Sequence, residues 1–186
     1  MNTKPIILAS QSPRRKELLQ LLDIQFEIVV SDIDEIINEE LTNEEVVMDI
    51  AKQKAMQIKA SYPDACVLGF DTLVILEGVP LGKPKDEQDA FQMLKQLSGK
   101  THQVLTGCAI LGEKIEEVFY DFAYVTFNEM SDLEIHEYLE TKEPFDKAGA
   151  YGIQGYGAKY IQKIDGDYYS VMGVPLQKLY QKLRDL

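Results

Sequence analysis

The sequence predicts an α/β fold, because apolar stretches typical of buried strands alternate with segments of helical periodicity. The first predicted strand and the helix that follows it show this alternation. Residues 6–9 form an apolar run that predicts a buried strand. Ser12 and Pro13 are then typical of the N-cap and first residue of a helix, which we expect to continue to Leu22.

The other predicted elements follow in the same manner and are bounded by capping residues, glycines and prolines. The predicted strands cover 26–30, 66–76, 103–111, 115–127 and 160–164, and the predicted helices cover 42–62, 86–97, 131–141 and 175–186. Since no repeat, low-complexity segment or linker interrupts this series, we expect one domain over residues 1–186.

Composition narrows the classes of partner. Of the 186 residues, 45% are hydrophobic and 27% are charged, as in ordinary globular proteins. The formal net charge of −12 argues against nucleic acid or an anionic membrane surface as the main partner. Neither a leader with a cleavage site nor an apolar run of about 20 residues is visible. With Cys66 and Cys108 expected to be buried free thiols, the sequence predicts a cytoplasmic protein.

The first turn of the first predicted helix carries cations where the helix dipole disfavours them. Arg14 and Arg15 lie four residues before Leu18 and Leu19, so both are expected to face the buried side of the helix. Guanidinium groups beside a helix N-terminus favour an anion site, and phosphate is the anion that they suit. The alternative is that both arginines pair with acidic residues elsewhere.

Two further charges occupy apolar positions. Lys54 falls in the middle of an apolar helical stripe, where a lysine either extends to solvent or binds a partner. Asp71 interrupts an eleven-residue strand pattern, on the face shared with Gly69 and opposite Phe70. A carboxylate in so apolar a run is either paired structurally or functional. Together with Lys83 in a rigid Gly-Lys-Pro loop and Glu35 in an acidic loop, these residues provide the cations and oxygen ligands that phosphoryl transfer needs.

Several common motifs are excluded. The GKTH run at residues 99–102 lacks the spacing of a P-loop and leads into a strand rather than a helix. His102 and His136 have no second histidine or cysteine nearby, so structural roles are expected for both.

Six motifs, in order along nearly the whole chain, closely resemble the Maf family of nucleoside triphosphate pyrophosphatases, which is also named for inhibiting septum formation. They are S-x-S-P-R-R at 10–15, F-D-T-L-V at 70–74, G-K-P at 82–84, G-K-T-H at 99–102, D-K-A-G-A-Y-G-I-Q-G at 146–155 and G-D-Y-Y-S-V-x-G-x-P-L at 166–176. The resemblance implies a two-lobed mixed β-sheet with flanking helices and a deep central cleft, similar to inosine triphosphate pyrophosphatases. It also favours a homodimer.

The resemblance assigns a role to each unusual charge. Asp71 corresponds to the catalytic proton acceptor and a ligand of a divalent cation, Mg or Mn, with Glu35 as the acidic metal partner. Lys54 and Lys83 correspond to the family's phosphate-binding lysines. The phosphate-binding arginines fall on Arg14 and Arg15. Asp146, beside Lys147, is a further candidate metal ligand, with a structural salt bridge as the equal alternative.

The chain resembles the dTTP/UTP branch of the family, whose specificity positions fall on Arg14, Thr72 and Gln154. This branch carries I-Q-G where the 7-methyl-GTP branch has glutamate in place of the glutamine. A glutamine amide can both donate to pyrimidine O4 and accept from N3–H, whereas a carboxylate only accepts. Two departures stand out: Phe70 replaces a commonly small residue, and Ser170 replaces a common asparagine.

These inferences predict an enzyme that hydrolyses dTTP and UTP, or modified pyrimidine triphosphates, to monophosphate and pyrophosphate, with a link to cell division arrest. The alternative is a non-catalytic, nucleotide-sensing regulator of septum formation. Such a regulator would keep the phosphate-binding cations without needing Asp71 as a base.

Overall fold

The computed structural model describes residues 5–184, in which strands and helices alternate as predicted. The strands are β1 (Ile6–Leu8), β2 (Phe26–Ile28), β3 (Cys66–Leu76), β4 (Val79–Leu81), β5 (Thr101–Leu111), β6 (Glu116–Phe127) and β7 (Ile161–Gly166). The helices are α1 (Pro13–Gln20), α2 (Asn43–Ser61), α3 (Glu87–Leu97), α4 (Asp132–Glu140), α5 (Tyr168–Val171) and α6 (Leu176–Arg184). Short 3₁₀ turns cover Glu143–Asp146, Ala148–Ala150 and Gly155–Tyr160.

Within these residues the strands form one mixed sheet of order β2-β1-β3-β5-β6-β7, with β4 paired to β3. β1 pairs in parallel with both β2 and β3, so that Ile7 lies between Glu27 and Val67. The β3–β4 and β6–β7 pairs are antiparallel. The predicted α/β class with a mixed sheet is therefore confirmed.

The helix starts predicted from capping residues are also confirmed. The Ser12 hydroxyl accepts a hydrogen bond from the backbone N–H of Arg15, and Pro13 is the first residue of α1. Both predicted capping boxes, which begin α2 and α4, are complete. Local hydrogen bonds that satisfy the first N–H groups of a helix thus define these boundaries.

Two elements were not predicted. β4 has three residues including Pro80, and its pairing with β3 compensates for a weak local preference. α5 has four residues and is preceded by its N-cap Asp167, whose side chain accepts hydrogen bonds from two backbone N–H groups. Cys66 is half-buried rather than buried, although both cysteines are free. The predicted end of the last helix at Leu186 lies outside the described residues.

The chain divides into two compact units, each with its own hydrophobic core. The first comprises residues 1–71, 106–121 and 173–186, as far as they are described. Its core includes the buried stripe of α2 that the sequence predicted, formed by Val47, Ile50, Ala51, Ala55 and Ile58. Ala51, Ala55 and Ile58 pack with apolar residues of β1, β3 and β5, so α2 covers a face of this unit's strands.

The second unit comprises residues 72–105 and 122–172. Its core joins α3 and α4 to apolar side chains of β3, β5 and β6, with Leu94, Leu97 and Ile135 fully buried. Every helix in the described part of the chain is too short or too polar to cross a membrane. The single domain, the central cleft, the cytoplasmic location and the homodimer stay predictions.

Candidate active site

Lys54 binds two carboxylates in the first unit. Its ammonium nitrogen lies 2.7 Å from Asp71 Oδ1 and 2.8 Å from Glu35 Oε1. The Lys54 and Asp71 side chains are only 16% and 15% exposed, whereas Glu35 is 45% exposed. Lys54 therefore does not extend to solvent from its apolar stripe but links the strand carboxylate to the acidic loop.

Close packing of α2 on β3 explains how Lys54 reaches Asp71. Gly69 lies two residues before Asp71, on the same face of the strand. A Cβ atom at Gly69 would overlap the carbonyl oxygen of Ala51 and crowd Ala55. The absence of a side chain at Gly69 lets the helix backbone approach the strand, which places Lys54 beside Asp71.

Arg15 is anchored from α1 by two hydrogen bonds. Its Nε donates to the carbonyl oxygen of Gly173 at 3.1 Å, and Nη1 donates to Ser10 Oγ at 3.3 Å. The guanidinium carbon also lies 5.9 Å from the ring centroid of Phe70. Phe70 therefore contacts a predicted phosphate-binding residue, although as the neighbour of Asp71 in β3 it points to the other side of the strand.

Burial and charge act in opposition at this site. Burial raises the pKa of the Asp71 carboxyl, while the charge and hydrogen bond of Lys54 and the charge of Arg15 lower it; the net direction is upward. Burial lowers the pKa of the Arg15 guanidinium, Asp71 raises it, and Arg14 lowers it again. Asp71 thus carries a carboxylate that is more basic than an exposed aspartate, as a general base requires.

Two glutamines of α2 hold the acidic loop, defined as residues 31–36. Gln53 accepts from the Ile36 N–H at 3.1 Å and donates to the Ile36 carbonyl at 2.8 Å. One turn later, Gln57 makes the same pair of bonds to the backbone of Asp32, each at 3.0 Å. The acidic loop is thereby fixed on both sides of Glu35. Sequence reasoning missed these residues.

The amide of Gln53 is oriented by its own helix. Its Nε2 donates to the Asp49 carboxylate at 2.6 Å, which leaves Oε1 to accept from the Ile36 N–H. The acidic loop indicates only that its backbone groups need partners, and nothing local in the sequence identifies Gln53 as one of them. A segment without regular structure needs partners for its backbone groups, and a nearby helix with amide side chains can supply them.

The other predicted site residues belong to the second unit. Thr72 follows Asp71 in β3 and is half-buried. Lys83 is exposed after β4, in a loop whose Gly82 carbonyl accepts a hydrogen bond from the Gly149 N–H at 3.0 Å. Gln154 is exposed immediately before the 3₁₀ turn Gly155–Tyr160. Of the predicted site residues, the structure thus brings Glu35, Lys54 and Asp71 into contact in the first unit, where Arg14 and Arg15 also lie on α1.

Other residues singled out in the sequence have local partners. Asp146 forms an ion pair with Lys147, whose Nζ also donates to the Glu143 carbonyl. Ser170, which replaces a common asparagine, donates to the Asp167 carboxylate from both its backbone N–H and its hydroxyl.

The two histidines pack against aromatic rings. Nε2 of His102 lies 2.7 Å from the Tyr151 hydroxyl, and its ring stands edge-on to Phe127. Burial lowers the pKa of His102 from 6.5 to about 4, so its imidazole is neutral at pH 7. The His136 ring lies 4.8 Å from that of Phe91. The structural roles expected for both histidines stay predictions.

Comparison with solved structures defines the fold. The chain is similar to a HAM1 protein from Coxiella burnetii, with a TM-score of 0.59 and 16% identity over 99% of this chain and all of that one. It is also similar to the Ham1 protein of Staphylococcus aureus, with a TM-score of 0.51 and 16% identity over 85% of this chain and 80% of that one. The protein therefore has the fold of the Ham1 proteins.

Sequence comparison defines the family. Residues 5–186 match the family described as Maf-like protein, and the chain belongs to the Maf family. It is 51% identical to a Bacillus velezensis protein named dTTP/UTP pyrophosphatase, over 98% of this chain and 97% of that protein. It is 52% identical to a Bacillus pumilus protein of the same name, over 96% and 94% of the two chains. The family predicted from the six motifs is confirmed.

Proposed function

We propose that this protein is a metal-dependent nucleoside triphosphate pyrophosphatase that hydrolyses dTTP and UTP to the monophosphate and pyrophosphate. The names and high identity of the Bacillus relatives support this activity and substrate class. The contact of Lys54 with both Glu35 and Asp71, to whose carboxylate the half-buried Arg15 is electrostatically coupled, carries the proposal. This arrangement combines cations for the phosphates with a carboxylate base of raised pKa.

In the proposed reaction Asp71 orients a water molecule and accepts its proton as the water oxygen bonds to the α-phosphorus. The bond from the α-phosphorus to the oxygen bridging to the β-phosphorus breaks, and pyrophosphate leaves. Arg14, Arg15 and the lysines Lys54 and Lys83 would bind the non-reacting phosphate oxygens and stabilise the charge on the leaving group.

The donors at this site suit a hard divalent cation. Glu35 and Asp71 offer carboxylate oxygens on either side of one ammonium group. Mg²⁺ is usually bound by one or two carboxylates together with substrate phosphates, rather than by a complete set of protein ligands. We therefore propose that Glu35 and Asp71 hold Mg²⁺ or Mn²⁺. When bound, the cation would neutralise phosphate charge.

The experiment that tests the reaction is incubation with a panel of nucleoside triphosphates, with and without Mg²⁺ or Mn²⁺, while pyrophosphate and orthophosphate are measured. The proposal expects pyrophosphate from dTTP and UTP, and loss of turnover with chelator. Orthophosphate as the product would contradict attack at the α-phosphorus. A non-catalytic regulator would bind the nucleotides and release neither product.

Substitution of the proposed base gives a sharper test. Asp71→Asn should lower kcat about 10²- to 10⁴-fold, because the amide cannot accept the proton, while nucleotide binding measured by calorimetry is largely retained. Asp34→Asn is the matched control, since it removes the same charge from an exposed position of the acidic loop. Full activity of Asp71→Asn would refute the assignment.

The proposed base-reading residue is tested by Gln154→Glu. The carboxylate can no longer donate to pyrimidine O4, so kcat/KM for UTP should fall about tenfold or more relative to 7-methyl-GTP. Gln162→Glu, at an exposed position of β7, introduces the same charge elsewhere. Unchanged selectivity in Gln154→Glu would contradict a base-reading role for this residue.

A further inference from the structure

The Glu143 carboxylate binds three donors in the second unit. Oε1 accepts from the Tyr138 hydroxyl at 2.7 Å and from the Gly157 N–H at 3.1 Å. Oε2 accepts from the Tyr156 N–H at 2.8 Å. Glu143 lies at the start of a 3₁₀ turn just beyond α4, and two of its three donors, Tyr156 and Gly157, are 13 and 14 residues away in sequence.

These contacts hold the glycine loop, defined as residues 152–157, on both sides of Gln154. The Gly152 N–H donates to the Tyr138 hydroxyl at 3.0 Å, and that hydroxyl donates to Glu143. Tyr156 and Gly157, beyond Gln154, donate to the same carboxylate directly. The backbone before and after Gln154 is therefore connected to one side chain.

The shape of the glycine loop also depends on Glu143. Gly155 has φ of +79°, a conformation that residues with a Cβ adopt only with strain. A Cβ atom at Gly155 would overlap Glu143 Oε2. Ile153 is buried while its neighbour Gln154 is exposed, so the loop fixes its backbone and presents one amide side chain to solvent.

The chemistry of the contacts requires an acceptor without hydrogens. Each of the three groups around the Glu143 carboxylate is a donor, and an ionised carboxylate accepts at both oxygens. A glutamine in its place would direct an NH₂ group at an N–H or O–H donor. Burial raises the pKa of the Tyr138 hydroxyl, which therefore stays protonated and available as a donor.

We propose that Glu143, acting with Tyr138, is a positioning residue that fixes the glycine loop so that the Gln154 amide is presented to the substrate base. This inference rests on the proposed function, because it assumes that Gln154 reads the base. Glu143 does not touch the substrate in this proposal. Its contribution is to lower the ordering cost of the loop when a nucleotide binds.

The first test compares Glu143→Gln with Glu140→Gln, which removes the same charge from an exposed position three residues earlier. Glu143→Gln should raise KM for UTP and dTTP about tenfold and reduce the preference for UTP over GTP, while kcat changes less than about threefold. Glu140→Gln should resemble the wild type. An equal fall in kcat for every triphosphate, with KM unchanged, would overturn the positioning role.

Tyr138→Phe is the second variant, and it keeps the test valid if Glu143→Gln unfolds. It removes the hydroxyl between Gly152 and Glu143 but leaves the two direct contacts of Glu143 with the backbone. Its effect on KM should therefore have the same direction and be smaller. Wild-type KM and selectivity in a folded Tyr138→Phe protein would overturn its part in the proposal.

A double-mutant cycle with Gln154→Ala separates this inference from the proposed function. If Glu143 acts through Gln154, Glu143→Gln should have little further effect on UTP selectivity once Gln154 is alanine. Additive effects would overturn the inference and leave the proposed function standing. A wild-type protein that hydrolyses UTP and GTP equally would instead contradict the pyrimidine preference, and the positioning role with it.

Discussion

The acidic loop and the glycine loop are two irregular segments that each present one polar side chain, and they are held in different ways. The acidic loop carries Glu35 and is bound by two glutamine amides of α2, each of which both donates and accepts. The glycine loop carries Gln154 and is bound at Tyr156 and Gly157 by the single Glu143 carboxylate, which only accepts, while its Gly152 N–H donates to the Tyr138 hydroxyl.

This difference has physical consequences. An amide can satisfy both the N–H and the C=O of an extended residue, so the glutamine pair resembles strand pairing and divides the contacts between two side chains. A carboxylate attracts several N–H and O–H donors at once and binds each more strongly than a neutral acceptor does. The acidic loop should therefore tolerate loss of one partner, whereas the glycine loop should not.

The largest effect is expected from Gly155→Ala in the glycine loop. The new Cβ would impose about 1–2 kcal/mol of backbone strain. It would also displace Glu143 Oε2, which would lose its charged hydrogen bond from the Tyr156 N–H, worth about 1.5–3 kcal/mol. We expect the free energy of unfolding to fall by about 3–4 kcal/mol in chemical denaturation, with a raised KM for UTP.

Gly78→Ala is the matched control for Gly155→Ala. Gly78 has φ of +85°, but no atom of the described residues beyond its chain neighbours lies within 4 Å of the Cβ that alanine would add. Gly78→Ala therefore introduces the backbone strain without the overlap. It should lower the free energy of unfolding by about 1–2 kcal/mol and leave KM unchanged. Equal losses for both variants would show that the Glu143 contact contributes little to the glycine loop.

The next largest effect is a loss of folding stability at low pH, which we expect because a buried histidine contacts the residue that precedes the glycine loop. Tyr151 precedes the loop and its hydroxyl lies 2.7 Å from His102 Nε2. His102 has a pKa of about 4 in the folded protein, against 6.5 when exposed, so the unfolded chain binds the proton more readily. The contribution of neutral His102 to the free energy of unfolding should thus be fully present at pH 7. It should fall by about 3 kcal/mol as the pH drops from 6.5 to 4.

His102→Gln tests this acid dependence. A residue that does not titrate should make the stability curve shallower between pH 6.5 and 4, whatever its effect at pH 7. An unchanged acid limb in His102→Gln would mean that burial of this imidazole does not contribute to the pH dependence.

The sequence identified residues of the candidate site where a charge contradicted its surroundings. Lys54 in an apolar stripe and Asp71 in an apolar strand were recognisable for that reason, and both belong to the cluster in the first unit. Gln53 and Gln57 were not recognisable. Glutamine on an exposed helix face is ordinary, and nothing local indicates a bond to backbone 17 or 25 residues earlier.

The fold shows the same division between local and distant causes. Long strands and capped helices were predictable, because hydrophobic periodicity and capping residues act within a few positions. β4 and α5 were not, since a three-residue strand depends on its pairing with β3. The role of Glu143 was likewise not predictable, because an acidic residue before a proline is common. Its role depends on how the chain returns to it, which requires the tertiary structure.

The smallest effect is expected from single substitutions in the glutamine pair. Gln53→Ala removes both hydrogen bonds to the Ile36 backbone. It should lower the free energy of unfolding by only about 1–2 kcal/mol, because Gln57 still binds the Asp32 backbone. Amide exchange should increase at Ile36, and kcat/KM should fall less than about tenfold. Gln57→Ala should have a weaker effect on activity, since Asp32 is farther from Glu35 along the chain.

The double variant Gln53→Ala/Gln57→Ala decides whether the two loops differ as described. With both partners gone, the acidic loop loses its attachment to α2 on both sides of Glu35, so kcat/KM should fall by more than the product of the single effects. If Gln53→Ala alone matched the double variant, one residue would hold the acidic loop. The contrast with the single carboxylate of the glycine loop would then be wrong.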